Sequence, residues 1–414
     1  MTQKGSCLIS KIEAEEIRDS HGNPTIKVSV FAGEHSGSFS VPSGASTGSH
    51  EAHELRDQDG SSVKNAIGKV NNDIAKALVS HDIFDQKGID EVLIKLDGTK
   101  NKNNLGGNSM IGTSIACAKA AAAAKGIEVF EHLRTLVEIK PSRKTPYLFM
   151  NLLEGGKHTK SGLAFQEYHA VPDTENVANA VDIGNKIQNA LREIIDKDLG
   201  EGSTVSGDEG GFAPNTNDVR KPLIYMSEAI KKNNFPVKVR MALDVAASSF
   251  YKNGFYKVSG KEISSEELQE LYSSLLKDFD IFSVEDPFDQ EDFDDFRKFK
   301  ENNKGIFVVG DDLTVSNQAL LKKAIEGDSI NAMIIKPNQI GTLSETLDTM
   351  RLARENGIEL IVSHRGEETD DDFIADLAYA YGCFGLKAGS PQKPERMVKY
   401  KRLMNIINSQ ENPV

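Results

Sequence analysis

Residues 306–336 read IFVVGDDLTVSNQALLKKAIEGDSINAMIIK. A β-branched apolar run, Ile306–Gly310, stops at Asp311, a helical pattern follows, and a second apolar run, Ala332–Ile335, stops at Lys336. That is one strand, one crossover helix and the next strand. The unit recurs on both sides. Val237–Leu243 ends at Asp244, Ile281–Val284 at Glu285, and Ile358–Val362 at Ser363-His364-Arg365. The polar endpoints Asp244, Glu285, Asp311, Lys336 and His364 follow one another at 41, 26, 25 and 28 residues. A strand with its crossover helix takes about 25–40 residues. Five such units predict a parallel sheet, and the remaining length suits closure into a barrel of about 250 residues. An open doubly wound sheet is the alternative.

The rest of the chain is organised differently. Alternation in Thr25–Phe31 and Ser38–Val41, with Gly33 between, reads as strand, turn, strand. A loop of small residues, Pro42–Gly48, comes next. Helical patterning follows over Val63–Leu78 and again over Ile111–Lys125, where alanine dominates. Glu138–Pro146 carries two prolines and three basic residues without apolar periodicity, as a linker would. The expected organisation is an α+β N-terminal capping domain over residues 1–137, followed by an α/β TIM-type barrel over residues 138–414.

Composition narrows the function. With 414 residues of which 38% are apolar, the chain can bury a core. No run approaches the ~20 apolar residues of a membrane span, and the N-terminus lacks the apolar region of a secretory signal. Three cysteines, Cys7, Cys117 and Cys383, lie far apart, which excludes a disulfide scaffold and fits a reducing cytoplasm. A net charge of −13 argues against nucleic acid and anionic membranes as partners and supplies carboxylates for hard cations.

In a βα barrel the strand C-termini converge on one mouth. Here that mouth would gather Asp244, Glu285, Asp311, Lys336, His364 and Arg365. Each carboxylate alone reads as a solvated helix cap. Three at the same place in successive units would repel one another without a cation, and oxygen-only ligands suit Mg²⁺. A lysine beside a divalent cation has its charged form disfavoured, which makes Lys336 a base, and Lys387, after the run Cys383–Leu386, pushes the same way. Gly207–Pro214 (GDEGGFAP) packs two acids between glycines. Asn151–His158 and Phe165-Gln166-Glu167 add a glycine pair, a histidine and another acid. A lysine base, one or two hard cations, a separate glutamate acid and Arg365 for an anionic group together fit proton abstraction α to a carboxylate, a pattern already described for the enolase superfamily.

Longer strings now carry a resemblance. Asp19–Thr25 (DSHGNPT), Val41–Gly48 (VPSGASTG), Leu105–Asn108 (LGGN), Leu163–Glu167 (LAFQE), Gly207–Asn215 (GDEGGFAPN), Ala242–Ser248 (ALDVAAS), Ser283–Phe288 (SVEDPF), Gly310–Leu313 (GDDL) and Lys336–Thr342 (KPNQIGT) stand in the order of the enolase (phosphopyruvate hydratase) family. The chain resembles that family nearly end to end. The resemblance implies a barrel with an irregular start of two strands and two helices. It implies Mg²⁺-dependent, reversible dehydration of 2-phosphoglycerate to phosphoenolpyruvate in glycolysis and gluconeogenesis, in a cytoplasmic homodimer or octamer. Asp244, Glu285 and Asp311 would hold one Mg²⁺, and Ser46, on the lid loop 42–48, would reach a second that arrives with the substrate phosphate. Lys336 would take the C2 proton and Glu209 would protonate the C3 hydroxyl, with Glu167 beside it. His158, Gln166, Arg365, Gly366 and Lys387 would contact substrate.

The chain departs from the family pattern near the implied site. Gly366 stands for a serine expected on the phosphate, Glu367 for a glycine, His21 for an arginine, Glu154 for an asparagine and Ser249 for a glutamate. These changes raise two alternatives to an ordinary enolase: a paralogue of weakened or altered substrate preference, and a non-catalytic binding protein on the same fold.

Overall fold

The computed structural model describes residues 7–44, 50–58 and 60–411. Three antiparallel strands open the chain: β1 (Ile9–Arg18), β2 (Pro24–Ala32) and β3 (His35–Ser40). Every second side chain of β2 from Ile26 to Ala32 is fully buried, the signature of a sheet with one covered face. What covers it is the helix Gly107–Lys125, buried on nearly all sides. Alanine is abundant there because the backbones come close: a Cβ at Gly37 of β3 would collide with the main chain of Ala116 and Ala120. This helix starts four residues before the expected Ile111. The expected helix Val63–Leu78 is not continuous, because a π-helical stretch, Lys69–Ile74, interrupts it.

Eight strands close a barrel: β4 (Tyr147–Glu154), β5 (Glu167–Pro172), β6 (Val239–Asp244), β10 (Ile281–Glu285), β11 (Phe307–Gly310), β12 (Ala332–Ile335), β13 (Glu359–Ser363) and β14 (Gly385–Lys387). The five expected runs are β6, β10, β11, β12 and β13, and they pair in parallel in sequence order. One strand breaks the rule. β5 runs antiparallel to both β4 and β6, so it begins where its neighbours end. Two helices, Val177–Leu199 and Lys221–Asn233, lie between β5 and β6. The wide spacing from Asp244 to Glu285 is filled by a small antiparallel sheet, β7 (Tyr251–Lys252), β8 (Phe255–Val258) and β9 (Lys261–Ile263), before the helix Ser265–Asp278.

The lower barrel is solid. Tyr147, Phe149, Phe282, Phe307 and Phe384 pack ring on ring inside it, with Phe307 and Phe384 centroids 4.5 Å apart. The strand ends above this layer form the upper rim. The N-terminal sheet is stitched to that rim: Ser43 and Glu367 exchange backbone hydrogen bonds of 2.9 and 3.0 Å, and Ser20 N–H donates to Glu368 O at 2.7 Å. Among the described residues no helix is long and apolar enough to cross a membrane, and Cys7, Cys117 and Cys383 are all free.

Candidate active site

A cleft lies at the barrel mouth. Its walls include His158, Gln166, Glu167, Glu209, Asp244, Asp311, Lys336, Arg365, Gly366 and Lys387, so the strand ends and loops bring ten of the twelve expected residues together. Glu285 sits just behind the wall, with its carboxylate turned to Lys387. Ser46 and most of the expected lid loop lie outside the described residues.

The carboxylates do not meet uncompensated. Lys387 Nζ, buried at the end of β14, donates to Asp244 Oδ2 at 2.8 Å and to both oxygens of Glu285 at 2.9 and 3.0 Å, and stands 3.4 Å from Glu167 Oε2. Asp311 pairs instead with Lys336 Nζ and accepts from Gln339 Nε2 at 3.2 Å. Two lysines therefore occupy the place where a repelling trio was expected. The compensation is incomplete at Glu285: burial and the neighbouring Asp244 push its carboxyl well above the usual range despite Lys387. An all-carboxylate donor set short of positive charge fits a hard divalent cation. Asp286 and Asp312, which the sequence reading passed over, converge with Asp311 within 4.8 Å. Asp286 also accepts from the N–H groups of Asp311 (3.0 Å) and Asp312 (2.6 Å), so it shapes the loop that presents them.

Lys336 was expected to be drawn toward neutrality. From the protein groups alone the shift is upward: burial works most strongly against its charge, with Arg365 and Lys387, but the surrounding carboxylates, Asp311 first and Glu285 after it, more than offset them. Arg365 is buried and paired, Nη2 donating to Glu51 Oε2 and Nη1 to Asn338 Oδ1, each at 2.9 Å.

On the facing side is a cluster of acids and imidazoles. His169 Nε2 lies 2.7 Å from Glu167 Oε2, and burial with the Lys387 charge lowers this imidazole to about 3, so it is neutral and shares one hydrogen bond with Glu167. Glu167 itself is pushed up to about 8 by burial and by Glu209. Burial also opposes charge on Glu209, yet His364, His158 and Arg396 hold its carboxyl well below the usual range. Arg396 Nη1 donates to His364 Nδ1 at 2.7 Å, which leaves Nε2 as the protonated nitrogen, 3.1 Å from Glu209 Oε2. The same guanidinium, fully buried, donates to Arg365 O and Gly366 O at 2.5 and 2.6 Å and so fixes the loop after β13 from below. His169 was findable, since two residues after Glu167 on a strand places it on the same face. Nothing in the sequence around Arg396 marked it.

The departures have definite places. Gly366 lines the cleft without a hydroxyl to offer. Glu367 does not line it: Oε1 accepts from Asn23 Nδ2 at 3.1 Å and lies 3.8 Å from His21 Nδ1, so its charge is answered outside the cleft. Ser249 is exposed.

Comparisons with known proteins agree along the whole length. The family model for the enolase C-terminal TIM barrel domain matches residues 142–412, and that for the enolase N-terminal domain matches residues 9–133. A curated protein named Enolase from Methanocaldococcus jannaschii is 42% identical over 404 residues, covering 96% of this chain and 94% of that protein. Enolases of Methanococcus maripaludis and Methanosarcina barkeri are 40% and 41% identical, covering 96% and 97% of this chain and 94% and 95% of their own lengths.

Proposed function

The chain belongs to the enolase family and is a hydro-lyase; from that premise we propose that it interconverts 2-phosphoglycerate and phosphoenolpyruvate with Lys336 as base and Glu209 as acid. The observation that carries this reading is the disposition of the two around the barrel. β12, which Lys336 follows directly, and β5, which begins at Glu167, stand four strands apart in either direction around a ring of eight. Base and acid pair therefore occupy opposing walls, as an elimination requires when the proton leaves one face of the substrate and the hydroxyl the other.

Lys336 takes the C2 proton, the electron pair forms the C2–C3 double bond, and the C3–O bond breaks as Glu209 protonates the departing hydroxyl to water, with the proton supplied by the Glu209–Glu167 pair, in which Glu167 is the one pushed up to about 8. Arg365 and Lys387 favour the neutral amine a base needs and Asp311 opposes it, so Lys336 becomes basic when Asp311 is engaged elsewhere. Asp244, Glu285 and Asp311 would hold one Mg²⁺, and Ser46 would reach a second that arrives with the phosphate. Such cations supply charge against the doubly negative carboxylate that develops when C2 is deprotonated. His158, Gln166, Arg365, Gly366 and Lys387 bind the substrate, Arg365 facing an anionic group. The same proposal includes the division into a capping domain (1–137) and a barrel (138–414), a cytoplasmic location and a homodimer or octamer.

Absorbance of phosphoenolpyruvate tests the reading directly. Wild type turns over 2-phosphoglycerate with Mg²⁺ and stops in EDTA, and Lys336→Ala loses about 10²–10⁴-fold in kcat. Full activity surviving either treatment refutes the metal-and-lysine mechanism. Turnover orders of magnitude below an ordinary enolase, with Mg²⁺ present, favours the paralogue of altered preference.

A further inference from the structure

Behind the acid pair lies a carboxyl that the mechanism above leaves unused. Glu154, the last residue of β4, is fully buried. Its Oε1 accepts from Gly211 N–H at 2.5 Å and from Glu209 N–H at 3.2 Å, and its Oε2 accepts from the same Glu209 N–H at 3.3 Å. The loop is moulded to it. A Cβ on Gly211 would lie 2.8 Å from Glu154 Cγ, and one on Gly207 would collide with the carboxylate. In front stands His158, whose buried Nδ1 has no hydrogen-bond partner and lies 3.9 Å from both Glu154 Oε2 and Glu167 Oε1, while Nε2 lies 4.0 Å from Glu209 Oε1. Three carboxyls thus surround one imidazole.

We propose that Glu154 is a positioning residue for Glu209: its carboxyl clasps the loop that carries the proton donor. The inference rests on Glu209 as the donor. Around Glu209, His364 from the loop after β13, His158 and Arg396 from the C-terminal helix Pro394–Glu411 favour the ionised form. Lys387 on β14 faces it as a further cation. Glu154 and Glu167 are the groups that oppose them. Burial and Glu209 push Glu154 itself well above the usual carboxylate range, while the two N–H donors pull it back.

Glu154→Gln keeps the clasp and Glu154→Ala removes it. The amide keeps the size and, through one oxygen, an acceptor for both N–H groups. For Glu154→Ala, kcat for dehydration falls about 10²-fold, as expected for a displaced donor, while KM and the exchange of the C2 proton with D₂O, which does not use Glu209, keep their wild-type values. Glu154→Gln restores dehydration to within a few-fold of wild type. Thermal unfolding shows that the variants are folded; should Glu154→Ala not fold, Glu154→Leu, which fills the space without an acceptor, decides. Wild-type dehydration without the clasp, no rescue by glutamine, or exchange lost in step with dehydration overturns the proposal. Glu209→Gln is the control: wild-type dehydration there removes the donor assignment, whereas impaired dehydration there, with both Glu154 variants normal, removes this inference alone.

Discussion

Lys387 carries the most concentrated electrostatic burden in the molecule, and Lys387→Met exposes it. The amine lies within 3.0 Å of Asp244 and Glu285 and 3.4 Å from Glu167, all of them buried. Methionine fills the space without charge. Removing one partner of a buried ion cluster costs about 3–5 kcal/mol, because the remaining charges are left unpaired. That is the expected deficit in urea unfolding at pH 8 in EDTA, read as the midpoint shift times m. The sign with pH follows from proton uptake. Glu167 already stands at about 8, and Glu285 well above the ordinary value. Loss of the amine raises both further and releases Asp244, which the amine holds low, to take up a proton, so the variant's stability falls as pH rises. Working at pH 6 therefore recovers part of the deficit. Mg²⁺ at saturating concentration recovers part of it at pH 8, since the unpaired carboxylates then have a cation. An equal deficit at both pH values and in both media refutes this account of the cluster.

Two further substitutions have defined outcomes. Gly366→Ser returns a hydroxyl donor to the cleft wall and lowers KM for 2-phosphoglycerate about tenfold, the worth of a hydrogen bond to a charged group; an unchanged KM removes Gly366 from the phosphate contact. Gly37→Ala drives a methyl into the helix Gly107–Lys125 and costs about 3 kcal/mol of stability, measured by thermal unfolding, with KM preserved in the folded fraction.

Strand ends were legible where physics makes them so. Parallel strands are covered on both faces, so β6 and β10–β13 read as short apolar runs, and the first polar residue after each marks the mouth. β1 was not found because ISKIEAEEIR is mostly exposed and its few buried positions do not keep a period of two. β4 and β5 stayed hidden because a reversed strand follows its neighbour without a crossover helix and so breaks the rhythm being counted. Site membership was equally readable, since it depends on which strand ends converge. Side-chain pairing was not: that Lys387 stands between Asp244 and Glu285, or that Arg396 sets the tautomer of His364, depends on distances across the barrel that no linear spacing encodes.

The reversed strand has a consequence for how this half of the site is inherited. A parallel β5 would have sent the chain down the outside of the barrel before it re-entered. Instead Glu154, His158, Gln166 and Glu167 all belong to one hairpin whose turn never leaves the rim. Local contacts of this kind form without closing a long loop. The Glu167 part of the acid wall can therefore be transplanted as a single continuous cassette between related barrels, with Glu209 added from the loop beyond the helix Val177–Leu199, whereas the opposite wall, drawn from strands scattered over the second half of the chain, can only be rebuilt one position at a time.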